Sequence, residues 1–192
     1  MTAHPIRPGD YFLTRASTAL GLAIRTVTRS AVNHAGIVTA VNPDGTVQTV
    51  QALSHGVVPR PLPSRVATGD AVVIVHPTIT HQQRLLAAGT AELLVHRRVG
   101  YDYSDLLAAG LLQWGVSLPS IRRKVANPDR MICSQAVDWC YGQAGVHLFD
   151  DGRTPQAVTP GDLLWLHEQR GWDTTWWGGT PPGTPHKEEA RA

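Results

Sequence analysis

The sequence carries little charge of either sign and shows no basic stripe. Of its 192 residues, 17 are Lys or Arg and 15 are Asp or Glu, which leaves a net charge of only +2. A nucleic-acid-binding protein typically clusters its basic residues on one face, and this chain does not. Its one basic run, Arg122 to Lys124, is as well explained by a solvated loop. We therefore expect no nucleic-acid partner.

Export and membrane signals are also lacking. The N-terminal residues have neither the basic region nor the apolar region of a secretory signal peptide. The apolar stretches fall far short of the roughly 20 residues that span a bilayer. We therefore expect a soluble protein without a transmembrane segment. It is expected in the cytoplasm, or outside the cell by a non-Sec route such as phage lysis or effector delivery.

The chain has only two cysteines, Cys133 and Cys140. On one helix, residues seven apart lie roughly 10 Å from each other along the axis. That separation exceeds what a disulfide tolerates, so both are expected to be free thiols. The sequence contains no CxxC pair and no HExxH motif, and its nine histidines are scattered. We therefore expect no metal site and no cofactor.

Hydrophobic patterning predicts strands first and helices afterwards. The turn Asn42-Pro-Asp-Gly45 separates two strand-like segments, and a third apolar strand covers residues 71–76. Helical periodicity follows at residues 80–95, 103–114, 134–143 and 163–169. This order predicts an α+β fold in which an antiparallel sheet packs against helices. We expect one domain over residues 1–170, followed by an irregular Trp/Gly/Pro-rich tail over residues 171–192.

Cys133 is the candidate nucleophile because it precedes a helix predicted to begin near Ser134. The free N–H groups and the dipole at a helix N-terminus favour thiolate over thiol, so a lowered pKa is expected for Cys133. The same N–H groups are suited to hold an oxyanion. The alternative is an inert core cysteine. Cys140 lies in the middle of the helix and is interpreted as a buried structural thiol.

A thiol nucleophile needs a base, and His34 is the best candidate. It begins a predicted strand directly after the turn-prone Asn33, although it could also simply cap the edge of that strand. The base must in turn be oriented by a polar group. Pairing across the Asn42 to Gly45 turn brings Gln51 within two positions of the residue opposite His34. Gln51 could equally be a solvent-facing side chain, and His55 remains a competitor for the same role.

Three segments, taken together, resemble a known family. They are Arg7-Pro-Gly-Asp-Tyr-Phe-Leu13, residues 26–38, which end in Asn33-His-Ala-Gly-Ile-Val38, and Met131-Ile-Cys-Ser-Gln-Ala-Val137, continued through Gly145-Val-His-Leu148. In this order, with His before Cys, the chain resembles the permuted NlpC/P60 papain-like cysteine hydrolases, in particular their YiiX/YebB-like branch. Residues 100–103 and 158–163 also fit, so the resemblance spans residues 7 to about 165. Ordinary papain-like enzymes have Cys before His.

The resemblance implies a circularly permuted papain-like (NlpC/P60) fold with Cys133 as nucleophile and His34 as base. Gln51 takes the place of the family's glutamate as third catalytic residue, and Gln135 replaces a second glutamate. Tyr101 matches the family's Tyr-Asp segment and is a candidate substrate-binding residue, with core packing as the alternative.

The family's activity implies hydrolysis of amide bonds through an acyl-enzyme, often in the peptides of peptidoglycan. The expected partner is therefore a peptide or acyl substrate from the cell wall. Two alternatives remain open. One is a thioesterase, lipid acyl hydrolase or acyltransferase. The other is a weakly active module that binds a peptide or lipid, which the exchange of Glu for Gln51 keeps plausible.

Overall fold

The computed structural model describes residues 4–28, 30–63, 65–67, 70–100 and 131–179. Within these ranges the chain forms six strands: β1 (Tyr11–Arg15), β2 (His34–Val41), β3 (Val47–Leu53), β4 (Gly56–Pro61), β5 (Ala71–His76) and β6 (Asp173–Gly179). The described helices are α1 (Ala19–Thr28), α2 (His81–His96), α3 (Cys133–Gln143) and α4 (Pro160–Arg170), with a 3₁₀ turn at Pro155–Ala157.

The strands form one antiparallel sheet in the order β4-β3-β2-β1-β5-β6. A mixed fold with an antiparallel sheet packed against helices is thus confirmed. The central strands β2 and β3 are joined by the predicted turn. In that turn the Gly45 N–H donates to the Asn42 carbonyl, and the Asp44 carboxylate accepts from the Thr46 N–H.

The sheet separates two hydrophobic clusters. On one face, α2, α3 and α4 pack over residues such as Leu13, Ala35 and Val50. On the other face, a smaller cluster contains Phe12 and Ile74. Because side chains alternate across a strand, neighbouring residues of β1 and β2 serve different faces. The side chains of His34 and Ala35 therefore lie on opposite faces of the sheet.

The Pro8-Gly9-Asp10 turn fastens β1 to its surroundings. Gly9 has φ +82°, and a Cβ there would lie 2.6 Å from the Cα of Arg84, so glycine alone fits against α2. The Gly9 carbonyl accepts from the hydroxyl of Tyr141 on α3. The turn therefore fixes β1 relative to the helix that carries Cys133.

Asp10 forms the centre of a buried ionic cluster. Its carboxylate accepts from the Arg84 guanidinium, from His76 Nδ1 at 2.8 Å and from the Arg7 N–H. His76 Nε2 in turn contacts Thr175 Oγ1 on β6 at 2.7 Å. The sequence pattern suggested only that His76 ends a strand. In the fold it also connects β5 to β1 and β6.

The prediction of an irregular segment after Gly171 is wrong for residues 173–179. These residues form β6, which pairs with β5 and completes the edge of the sheet. Gly and Trp are tolerated there because the partner strand supplies the backbone hydrogen bonds, so local propensity does not decide the outcome. Residues 180–192 and the helix predicted at 103–114 lie outside the described residues.

Candidate active site

Cys133 is the first residue of α3, at the end that faces the start of β2. The helix begins here because the Gln135 side-chain oxygen accepts the Ile132 N–H at 3.0 Å, as a capping glutamate would. Ser134 Oγ donates to the Val158 carbonyl at 2.6 Å and fixes this end against the following segment. Gln135 thus helps to fix the start of the helix.

The thiol of Cys133 is buried, with only 1 % of the residue exposed. Burial raises the pKa of Cys133 to about 11, although hydrogen bonds from the backbone N–H groups of Ala35, Ser134 and Cys133 act to lower it. The expectation of a lowered pKa is therefore wrong. The N–H groups act in the expected direction, but the desolvation of the thiolate outweighs them. Cys133 is a neutral thiol at neutral pH.

Cys140 lies deeper along the same helix and is a free thiol, like Cys133. Burial raises its pKa, and no hydrogen bond opposes the shift. Both cysteines are thus free, as expected. The N–H groups that act on the Cys133 sulfur distinguish the two.

His34 is the first residue of β2 and is held there by its neighbour Asn33. The Asn33 amide exchanges two hydrogen bonds with the backbone of Ala16, and the Asn33 N–H donates to the Thr14 carbonyl. The imidazole packs edge-on against Phe12, with ring centroids 6.1 Å apart. A Cβ on Gly36 would lie 2.5 Å from the Phe12 ring, so glycine two residues after His34 allows this packing.

A chain of hydrogen bonds fixes the imidazole of His34. Its Nε2 lies 3.0 Å from Gln51 Oε1, and Gln51 Nε2 donates to Thr49 Oγ1 at 2.9 Å. The Thr49 hydroxyl donates its single proton to the Arg60 carbonyl, so it can only accept a hydrogen bond from Gln51. The Gln51 oxygen must then face His34, and Nε2 must carry the proton. The lone pair of the neutral ring is therefore on Nδ1.

Burial lowers the pKa of His34, the hydrogen bond that its Nε2–H donates to Gln51 raises it, and the nearby Arg60 guanidinium lowers it further. His34 is therefore neutral at neutral pH and able to accept a proton on Nδ1. Among the described residues no hydrogen bond joins the imidazole directly to the Cys133 thiol. The two groups are connected through Ala35, which follows His34 and whose N–H reaches the sulfur.

The fold thus brings His34 and Gln51 into contact, and it places the Cys133 sulfur at the N–H of Ala35, the residue that follows His34. In the sheet register, Gln51 lies opposite Gly36, on the same face as His34, which settles the side-chain direction that the sequence left open. His55 lies exposed in the turn between β3 and β4, away from this hydrogen bond. Tyr101 lies outside the described residues.

Two of the three tryptophans at 172, 176 and 177 pack against the hydrophobic clusters, and the third is exposed. Trp172 packs edge-on against Tyr11, with ring centroids 6.5 Å apart. Trp177 packs on the smaller cluster and donates its Nε1–H to the Pro63 carbonyl, and Trp176 is 40 % exposed.

Sequence reasoning missed Thr49 and Arg60. Thr49 could have been suggested by its position two residues before Gln51 on the same face of a strand.

Replacing Gln51 with glutamate tests the hydrogen-bond chain. In Gln51→Glu a carboxylate replaces the amide beside Nε2, which stabilises the imidazolium and raises the pKa of His34 by about one pH unit or more. A pH titration of the His34 ring protons by NMR measures this shift. Gln48→Glu adds the same charge on the other face of β3 and should leave the titration unchanged. Equal shifts in both variants would contradict the assigned contact.

No family model matches the chain, and no curated protein matches it either. The fold is similar to the crystal structure of the metalloprotein yiiX from Escherichia coli O157:H7, with a TM-score of 0.50. The match covers 86 % of this chain and 82 % of that one at 18 % sequence identity. At this identity the likeness concerns the fold alone.

That neighbour is described as a metalloprotein. In the part of the chain that the structure describes, no three side chains of His, Cys, Asp or Glu form a group that could hold one. The site itself offers one imidazole, one thiol and an amide. These described residues therefore do not fit a metal ion. None of the described helices is long and apolar enough to cross a membrane.

Proposed function

We propose that this chain is a cysteine hydrolase of the permuted papain-like (NlpC/P60) type that cleaves amide bonds in peptides. The observation that carries the proposal is the hydrogen-bond chain that leaves the Nδ1 lone pair of His34 free, one residue from the N–H that reaches Cys133. Nucleophilic catalysis by cysteine requires an imidazole that is fixed in one tautomer and can reach the thiol, and the hydrogen bond to Gln51 supports the first of these conditions.

The raised pKa of Cys133 defines how the reaction would start. A resting thiolate–imidazolium pair is disfavoured, because burial acts against both charged forms. His34 Nδ1 instead takes the thiol proton as sulfur attacks the substrate carbonyl. Catalytic hydrogen bonds are often long in the absence of substrate and tighten once it binds. The imidazole and the thiol would therefore close their distance in the substrate complex.

The remaining steps follow acyl transfer to water. The carbonyl oxygen becomes an oxyanion, and the N–H groups of Cys133 and Ser134, which lie at the sulfur, are suited to stabilise it. Collapse of this intermediate breaks the C–N bond, and the amine leaves with the proton held by His34. Water then attacks the thioester with His34 again as base, releasing the carboxylic acid and the Cys133 thiol. Gln51 orients the ring throughout but stabilises the imidazolium less than a carboxylate would.

Peptides of peptidoglycan are the proposed substrate. Purified cell wall incubated with the protein should release soluble peptide fragments, detected by liquid chromatography and mass spectrometry. If wall peptides stay intact while the protein cleaves an acyl thioester, the substrate is a thioester or lipid acyl group. If neither is cleaved, the hydrolase proposal is wrong and a peptide- or lipid-binding module remains.

A further inference from the structure

A groove of about 840 Å³ lies over the face of the sheet that carries His34 and Gln51. Its volume is within the range of sites for small molecules. His34 and Gln51 line it together with three arginines, Arg15, Arg60 and Arg65. Cys133 lies on the helix side of the sheet, so a substrate in this groove would approach the dyad from the side of the imidazole.

Among the described residues, no carboxylate forms an ion pair with any of these three arginines. The six described ion pairs all involve other cationic residues. The Nε–H of Arg15 is buried and finds no acceptor in the part of the chain that the structure describes, which is uncommon for a buried donor. The groove also contains Asp44 and Asp70, but each accepts a backbone N–H, from Thr46 and Ser17 respectively.

We infer that the groove binds an anionic group of the acyl substrate, a carboxylate or a phosphate, through Arg60 and Arg15 beside His34. Guanidinium groups bind carboxylates and phosphates with two parallel hydrogen bonds, and no described carboxylate is paired with these arginines. Arg60 is close enough to act electrostatically on His34, so an anion bound to it lies next to the base. The groove's apolar residues, Phe12, Leu62 and Trp177, would contact the uncharged part. This inference rests on the proposed hydrolase site.

The test uses Cys133→Ser, which removes the nucleophile and leaves the groove arginines in place. Three probes are titrated by calorimetry: acetyl-trialanine with a free carboxylate, its C-terminal amide, and glycerol 3-phosphate. We expect the carboxylate or the phosphate to bind at least about tenfold more tightly than the amide. The tighter of the two anions identifies the source of the anionic group. Equal affinity for all three probes would overturn the inference.

Arginine variants locate the binding. Adding Arg60→Gln should abolish most of the preference for the anion, and Arg15→Gln should weaken it. The matched control is Arg97→Gln, an exposed arginine at the C-terminus of α2 outside the groove, which should have no effect. An anion preference that survives both groove variants would contradict the assignment.

Hydrolysis by the wild type, measured separately, distinguishes the two proposals. Anion-selective binding that depends on Arg60, in a protein that hydrolyses nothing, supports the groove and rejects the hydrolase. Hydrolysis without any anion preference supports the hydrolase and rejects the groove as an anion-binding site.

Discussion

Cys133→Ser is expected to lower the rate of peptide release from purified cell wall by at least about 10⁴-fold. Serine keeps the size and the hydrogen bonds of the thiol. Its hydroxyl is a far weaker acid than a thiol, and His34 is placed to deprotonate only the thiol efficiently. His34→Ala should cause a loss of similar size, because the buried thiol, with a pKa of about 11, stays protonated without its base.

Cys140→Ala is the matched control for that experiment. Cys140 lies on the same helix, is equally buried and is the other free thiol of the chain. Its loss should leave the rate of peptide release within a few-fold of wild type, with an unchanged circular dichroism spectrum for all variants. A Cys133→Ser protein that keeps a hundredth of the activity or more, or a Cys140→Ala protein that loses it, would refute the assigned nucleophile.

Asp10→Asn should lower the free energy of unfolding by about 3–5 kcal/mol. The substitution keeps the shape of the side chain but removes its charge. Arg84, only 4 % exposed, is then left as a buried cation without a counter-charge. The same change weakens the contact to His76, which connects β1 through β5 to β6. Urea unfolding followed by circular dichroism measures the difference.

The control for this prediction is Asp150→Asn, which breaks the ion pair with Arg170 at 2.9 Å. The Asp150 side chain is 80 % exposed, so its loss should cost less than about 1 kcal/mol. Combining Asp10→Asn with Arg84→Met removes both charges and should recover a large part of the stability. Comparable losses from Asp10→Asn and Asp150→Asn would show that the buried cluster is not a major source of stability.

Local signals in the sequence predict much of the fold. The strand at 71–76 is apolar and β-branched, and its observed bounds agree with the prediction. The helix predicted from residue 80 begins at His81, because Thr80 and Gln83 form a capping box. The His34 to Gln51 contact follows from a turn whose sequence fixes the pairing of its two strands to within two residues.

Features that depend on distant residues were not predictable in this way. The cluster of Asp10, His76 and Arg84 joins residues up to 74 positions apart, with no shared motif. Strand β6 forms only because β5 provides an edge for it. The raised pKa of Cys133 results from burial by the assembled fold, whereas the sequence indicates only the favourable helix N-terminus. In each case tertiary contacts override the local pattern.

The central claim is that Cys133 attacks acyl groups with His34 as its base, and acyl transfer to the protein tests it most directly. The protein is mixed with p-nitrophenyl acetate at neutral pH, and adducts are located by mass spectrometry of its peptides. We predict an acetyl group on Cys133 in the wild type, little on Cys140, and a strongly reduced rate at Cys133 in His34→Ala. Equal rates at both cysteines, or an unchanged rate at Cys133 in His34→Ala, would contradict the account.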